Sequence, residues 1–472
     1  MVQQSPTPPG DDGALTESPD VAVSYRETLA EVLRVAIPLM ISAGTMSFVL
    51  FADRTLLLWY DGASMTASMA GGNIFWVLVC LPVGIMSMTG AIVGQHVGAE
   101  QRDKVGQFLW QSVWLSFLFV PMFLLVAINA KQFFLATGQP ANLIALESTY
   151  LQWLMFGALG LVLETALSGF FSGIEKTRVI MWVSIASGVL NILLDVALIF
   201  GFGPFPSMGI AGAAAATCVA FWFKAICFAV LILRPANEST YKVVDGLSLD
   251  LPVMRNLLFF GLPSGLMYVT EAAGFTAIVL RIGRLGDLPL RATTMAINFN
   301  MLAFIPLVGV SIAASVLVGR HLVESGASRA ARSAIAAVVF ALAYCCVWVS
   351  LYLLVPGHLM SLYELQIQDQ ASLDSIAIAT DLLKFVSLFL LLDSVQIVFA
   401  GALRGAGDTW FVLFAGLFAS VTALAIGIAF EPEQNALEWW WWVIAIWIGL
   451  LAVSMTARFA QGSWRNMTMV QR

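Results

Sequence analysis

Long apolar runs dominate the sequence, and few folds can accommodate them. Twelve runs of about 20 residues or more carry almost no charge. The chain has 472 residues, of which 60% are hydrophobic and 11% are charged. A helix needs about 20 apolar residues to cross roughly 30 Å of hydrocarbon. The runs are too long for barrel strands and lack their polar–apolar alternation. We therefore predict an all-α integral membrane protein with twelve transmembrane helices.

The twelve runs form two related sets of six. Pro38 and Pro263 lie 225 residues apart, and so do Gly84 and Gly309. A Val-Gly-x-His motif follows each of these glycines, and a Gly-x-x-x-Gly-x-x-x-Thr motif recurs later in both sets. Because six is even, both halves enter the membrane in the same orientation, related by an axis along the membrane normal. This predicts two pseudo-symmetric six-helix bundles with a central cavity, an arrangement typical of alternating-access transporters.

Polar segments and basic residues give the domain organisation and orientation. Residues near the N-terminus lack the features of a cleaved signal peptide and are predicted to be disordered. Sixteen Lys and Arg lie on the side of that tail and four on the other side. The positive-inside rule therefore places both termini in the cytoplasm of a multi-pass protein of the cell membrane. The expected segments are a disordered tail at 1–30, bundles at 31–234 and 253–462, a cytoplasmic linker at 235–252, and a second tail at 463–472.

Ionisable residues inside apolar runs are the candidates for function, since a charge at membrane depth is costly. The polar residues in question are Asp53, Glu164, Asn191, Asp195 and Lys224 in the first half, with Glu271, Lys384 and Asp393 in the second. None of the acids recurs at the equivalent position of the other half. We therefore interpret the acids as functional, except that Glu164 and Lys224 also fit a structural role as partners of other buried groups.

Carboxylate and amide oxygens suit two tasks in such a setting. They can carry a proton when burial disfavours the charged form, or bind a hard cation. Both Na⁺ and H⁺ therefore stay open as coupling ions, at Asp53, Asn191 and Asp195 or at Glu271 and Asp393. No other metal site is expected, because the three histidines are scattered and the five cysteines lie in apolar runs. Without a His-Glu-x-x-His or Gly-x-Ser-x-Gly motif, we expect neither an enzyme nor a cofactor.

Ordered motifs along residues 30–460 resemble the multidrug and toxic compound extrusion (MATE) family. Each motif is weak alone, but their order across twelve spans is specific. They are Ile37-Pro38 with Phe51-Ala52-Asp53, Val93-Gly94 with Gly98-Ala99, Leu190-Asn191-Ile192 with Asp195, Gly209-Ile210 with Gly212-Ala213-Ala214 and Ala216-Thr217, Gly261-Leu262-Pro263 with Glu271, and Gly401 with Leu403-Arg404-Gly405 and Gly407-Asp408-Thr409.

The resemblance implies export of organic cations, drugs or toxic metabolites by antiport with Na⁺ or H⁺. Asp53, Asn191, Asp195 and Thr217 match the polar cluster of the family's first half. Glu271 and Asp393 match the acidic pair of its NorM-like branch. Pro38 matches a proline at which the first span bends. The partners expected are small cationic or amphipathic substrates and the lipid bilayer, with no nucleic acid, and the protein is expected to be a monomer.

An alternative function is a lipid-linked oligosaccharide flippase of related architecture. Such a protein would be expected to line its cavity with several Arg or Lys for pyrophosphate groups. Lys224 and Lys384 are the basic residues well inside spans, which makes this alternative weaker than the antiporter.

Overall fold

A computed structural model describes residues 24–136, 141–203, 205–364 and 370–470. Twelve of its helical segments are long and apolar enough to cross a membrane, as predicted. The second and third crossings each consist of two consecutive helices. The sixteen helices are α1 Tyr25–Tyr60, α2 Gly62–Met86, α3 Met88–Gly98, α4 Val105–Phe117, α5 Val120–Ala136, α6 Ala141–Gly173, α7 Thr177–Phe200, α8 Ile210–Ile232, α9 Pro235–Tyr241, α10 Leu251–Gly283, α11 Asp287–Glu324, α12 Ala327–Leu354, α13 Pro356–Glu364, α14 Gln370–Ala406, α15 Thr409–Ala429 and α16 Ala436–Gln461.

Caps explain where the first helices begin. α1 starts at Tyr25, inside the segment assigned to the tail, because Ser24 and Glu27 form a reciprocal capping box there. The predicted disorder of the tail otherwise falls on residues 1–23, outside the described residues. At the far end of α1, Asp61 accepts hydrogen bonds from the backbone N–H groups of Ala63 and Ser64 and so begins α2. These bonds hold the pKa of Asp61 below its ordinary value.

The two halves meet through a pair of equivalent close contacts. A Cβ atom added to Gly84 of α2 would lie 2.6 Å from the Cα of Gly265 in α10. One added to Gly309 of α11 would lie 2.5 Å from the backbone nitrogen of Met40 in α1. Gly309 and Gly265 are the positions 225 residues after Gly84 and Met40. The same pairing of repeat positions thus occurs twice, as expected of halves related by a pseudo-twofold axis.

Polar contacts also join the halves, on the side of the membrane that carries both termini. Glu31 of α1 accepts a hydrogen bond from Arg329 at 3.1 Å and lies 3.2 Å from Nε2 of His321. The guanidinium of Arg320 pairs with Glu175. These groups lie near the ends of their helices on this side, which we call the terminal side, and they hold the bundles together there.

The segments outside the bundles pack against the same side. In the segment between the halves, the Val243 carbonyl accepts a hydrogen bond from the Trp110 indole at 2.6 Å. Near the C-terminus, Met469 is buried, and its N–H donates to Gln95 Oε1 at 2.7 Å. Its carbonyl accepts from Asn256 at 3.1 Å. Gln95 belongs to the first half and Asn256 to the second, so this segment bridges both.

Candidate ion-coupling site

Four polar residues of the first half meet in one buried cluster: Asp53, Asn191, Asp195 and Thr217. They are 3%, 1%, 0% and 8% exposed. The Thr217 hydroxyl donates to Asp53 Oδ2 at 3.3 Å. In the amide orientation that satisfies all its partners, Asn191 donates to Asp53 Oδ1 and Asp195 Oδ2, both at 3.1 Å. We call these four residues the acidic cluster.

Three helices bring the acidic cluster together. Asp53 comes from α1, Asn191 and Asp195 from α7, and Thr217 from α8. Asn191 and Asp195 are four residues apart and therefore lie on one face of α7. A Cβ atom at Gly188 would lie 2.7 Å from Thr45 Cγ2, so the small residue on α7 permits its close approach to α1. This close approach places the amide of Asn191 and the carboxylate of Asp195 against Asp53.

Two buried carboxylates at such short range need a cation between them. Asp53 and Asp195 interact directly, and within the described part of the chain the one positive charge that acts on them is that of Arg54 beside Asp53. Burying two like charges together is unfavourable. Oδ1 of Asp195 has no hydrogen-bond partner among the described residues. A proton shared by the carboxylates or a small hard cation would resolve the conflict. No group of three or more His, Cys, Asp or Glu with metal-ligand geometry occurs among the residues described.

The interpretation of the sequence did not identify two buried residues of α6 near the acidic cluster. Tyr150 of α6 is 6% exposed and lies within electrostatic range of Asp53 and Asp195. One turn earlier, Glu147 is 1% exposed, and its Oε2 has no hydrogen-bond partner in the described chain. A tyrosine in an apolar run gives no functional signal. Glu147, in contrast, is an acid at the edge of an apolar run and could have been found as Glu164 was.

The acidic pair of the second half has a more open environment. Glu271 of α10 and Asp393 of α14 interact through their charges, and both are partly exposed. Glu271 also lies within range of Gln396 and Arg404. The guanidinium of Arg404 is 5.7 Å from the ring centroid of Tyr268 and donates to Ser311 Oγ at 3.2 Å. The structure thus gives each site one cationic neighbour: Arg404 lies near Glu271, and Arg54 acts on Asp53 of the acidic cluster.

Glu164 and Lys224 form an ion pair between α6 and α8. Their Nζ–Oε1 distance is 2.6 Å, and their side chains are 14% and 13% exposed. Lys224 also lies 5.5 Å from the ring centroid of Phe221. The ion pair is compatible with a structural role for these two residues, and that role stays a prediction. Lys384 pairs with Asp381 at 2.7 Å, but both of those side chains are mostly exposed.

The variant Lys224→Met is expected to destabilise the protein by about 2 kcal/mol, because it leaves the Glu164 carboxylate without its counterion. The double variant with Glu164→Gln should recover most of that loss. Thermal unfolding of the purified protein in detergent measures both effects. Lys384→Met is the matched control, with a change within about 0.5 kcal/mol, since its pair is exposed. Equal losses in Lys224→Met and Lys384→Met would contradict the structural role.

Pro38 lies within α1, near the terminal side. Proline has no backbone N–H, so it cannot donate to the carbonyl of Arg34 one turn earlier. Thr177, the first residue of α7, instead places its hydroxyl 3.5 Å from that carbonyl. The helix is thus missing one internal bond at Pro38 and is held there by a side chain from α7.

These observations define a polytopic helical membrane protein of two related six-span halves, with a buried acidic cluster in one half and a partly exposed acidic pair in the other. Residues 38–197 and 263–429 match the model of the MatE family, one stretch in each half. The chain belongs to this family.

Relatives and solved structures agree with that assignment. The chain is 30% identical to the probable multidrug resistance protein NorM of Burkholderia mallei, over 92% of this chain and 93% of the relative. It is 29% identical to the multidrug resistance protein PmpM of Pseudomonas aeruginosa, over 95% and 94% of the two chains. An outward-facing multidrug resistance MATE family transporter superposes with a TM-score of 0.83 at 19% identity, covering 93% of this chain and 97% of that one. The eukaryotic MATE transporter AtDTX14 gives 0.81 at 18% identity, covering 93% and 97%.

Proposed function

We propose that the protein exports small organic compounds, cationic or amphipathic in character, in exchange for Na⁺ or H⁺ by alternating access. The observation that carries this proposal is the acidic cluster. Two carboxylates, an amide and a hydroxyl converge there, and no basic side chain of the described residues is hydrogen-bonded to them. Arg54 acts on Asp53 through its charge alone. A bound cation would offset the charge of the buried carboxylates, so such a site is suited to bind a cation and to exchange it. The names of the relatives, multidrug resistance proteins NorM and PmpM, support export of several compounds.

The packing of the halves supports alternating access. The polar contacts through Glu31, Arg320 and Gln95 lie on the terminal side. The glycine contacts of Gly84 and Gly309 lie between that side and the middle of the helices. Halves joined in this way are closed towards the terminal side, which is the cytoplasm in our proposal. Opening to that side requires these contacts to separate.

The basic residues in the spans disfavour the flippase alternative. Lys224 is neutralised by Glu164 and Lys384 by Asp381. Neither lysine is therefore available to bind a pyrophosphate group within the spans. Arg54 and Arg404 each lie near one acid, of the first-half and second-half site respectively, but each site holds two acids. This excess of acidic groups suits a positively charged substrate better than an anionic lipid carrier.

Efflux of a cationic dye from proteoliposomes under an imposed pH gradient alone, and then under a Na⁺ gradient alone, tests the proposal. At least one gradient should drive dye movement well above that of liposomes without protein. Dependence on the Na⁺ gradient alone would identify Na⁺, and dependence on the pH gradient alone would identify H⁺. Transport of an anionic lipid carrier with no response of the dye to either gradient would overturn the proposal.

Pro38 is proposed as a hinge of α1. Pro38→Ala restores an N–H that can reach the Arg34 carbonyl, so the helix becomes continuous and stiffer. We expect dye efflux to fall several-fold while the affinity for the dye, measured by fluorescence polarisation, stays unchanged. Pro356→Ala, at the start of α13, is the control and should transport at the wild-type rate. A Pro38→Ala protein with full efflux would exclude the hinge.

A further inference from the structure

A basic cavity lies on the terminal side, outside the transport site. It has a volume of about 500 Å³ and lies between α1 and the turn that leads into α7. Three of its lining residues are the exposed cations Arg34, Lys176 and Arg178. Glu175, which also lines it, is paired with Arg320. In the described chain the three cations have no ion-pair partner, so the cavity carries an excess of positive charge.

The start of α7 adds to this positive character. α7 begins at Thr177, inside the cavity lining, and no side chain caps its first turn. Unbonded N–H groups and the helix dipole make such a terminus attractive to an anion. The cavity therefore combines three exposed cations with the fixed partial positive charge of the helix terminus.

An apolar strip continues from the cavity towards the middle of the membrane. Ile37 and Ile41 follow Arg34 on the same face of α1 and are 43% and 42% exposed. Trp182 follows Arg178 by one turn on α7 and is 64% exposed. Because α1 and α7 pack together, cations at the membrane surface and apolar side chains at membrane depth lie along one helix pair.

We propose that this cavity binds the phosphate headgroup of an anionic phospholipid, with the acyl chains along Ile37, Ile41 and Trp182. Basic pockets between transmembrane helices suit acidic lipid headgroups. A soluble anion would use the cations but would have no need of the apolar strip. The arrangement of charge and apolar surface thus selects a lipid as the occupant.

Such a lipid would touch the segment of α1 that contains Pro38. Arg34 lines the cavity, and its carbonyl is the one that Pro38 leaves without a helical partner. Thr177, whose hydroxyl lies 3.5 Å from that carbonyl, also lines the cavity. A bound headgroup would therefore hold α1 and α7 together at the break in α1, which links lipid binding to the arrangement of the halves.

Native mass spectrometry of the purified full-length protein, titrated with phosphatidylglycerol and with phosphatidylcholine, tests this site. Wild type should bind phosphatidylglycerol about tenfold more tightly than phosphatidylcholine. The variant Arg34→Gln/Arg178→Gln should lose that preference, since each cation near an acidic headgroup adds a severalfold gain in affinity. Arg34→Lys/Arg178→Lys keeps the charges and should retain most of it.

Arg102→Gln/Lys104→Gln is the matched control, since it removes two exposed cations from the same side outside the cavity. It should bind phosphatidylglycerol like wild type. Equal binding of the two lipids by wild type, or an equal loss in the control, would overturn the proposal. Displacement of phosphatidylglycerol by millimolar inorganic phosphate would identify a soluble phosphate site instead. Because the readout is binding, the result does not depend on whether the protein exports dyes.

Discussion

Asp195→Asn and Asp53→Asn are each expected to reduce ion-driven dye efflux to the level of liposomes without protein. Asparagine has nearly the same shape as aspartate but cannot take up or release a proton, and it is a weaker ligand for a cation. Asp53 and Asp195 interact directly, and Asn191 donates a hydrogen bond to each of them. Neutralising either one removes the conflict between charges that makes cation binding obligatory. Efflux from proteoliposomes, under whichever gradient drives the wild type, measures the effect.

The control for this prediction is Asp381→Asn. Asp381 is also a carboxylate on a transmembrane helix, α14, but its side chain is 75% exposed and paired with Lys384. Loss of the Asp381 charge should leave dye efflux at the wild-type rate. If Asp53→Asn and Asp195→Asn extrude dye as fast as Asp381→Asn, the acidic cluster has no part in coupling.

The second-half pair provides a further comparison. Glu271→Gln and Asp393→Asn neutralise two partly exposed acids that interact with each other, and Glu271 also has Arg404 as a neighbour. We propose this pair as a second place where the coupling ion or a cationic substrate binds. Loss of dye affinity with intact ion dependence in these variants would indicate substrate binding. Loss of ion dependence with intact dye affinity would indicate coupling.

The sequence predicted the fold well because the bilayer imposes it. Lipid permits only helices or closed barrels, so twelve apolar runs without alternation had one solution. The pairing of Asn191 with Asp195 also followed from helical geometry, since four residues place two side chains on one face. The contribution of Asp53 and Thr217 to the same cluster came instead from the family resemblance.

Other features depend on contacts between distant segments and could not be predicted. Glu164 and Lys224 are 60 residues apart, and the pattern of each helix gave no indication that α6 and α8 would place them 2.6 Å apart. Tyr150 lies within electrostatic range of the acidic cluster only because α6 packs against α7 and α8, the helices that carry Asn191, Asp195 and Thr217. The cation Arg404, likewise, approaches Glu271 through tertiary packing. Periodicity identifies the face of a helix, but not the partner that the face meets.

Gly84→Ala and Gly309→Ala are expected to destabilise the protein by about 1–3 kcal/mol each, the cost typical of overpacking. The added Cβ would meet backbone atoms at 2.6 and 2.5 Å, and backbone cannot turn away as a flexible side chain can. The two losses of stability should be similar, because both variants add a methyl group at equivalent contacts, one in each half. Thermal unfolding in detergent and the monodisperse fraction in size-exclusion chromatography measure them.

Gly449→Ala is the control within the same kind of helix. The nearest atom to its added Cβ is the Leu392 Cδ1 at 3.9 Å, an ordinary contact, so its stability should be unchanged or slightly higher because alanine favours helix. Gly84→Ala and Gly309→Ala should also slow dye efflux, since the contacts they disturb join the halves on the terminal side. Equal stability of all three variants would mean that the halves do not approach each other at these glycines. In that case the equivalence of Gly84 and Gly309 would be a repeat in the sequence without a matching contact in the fold.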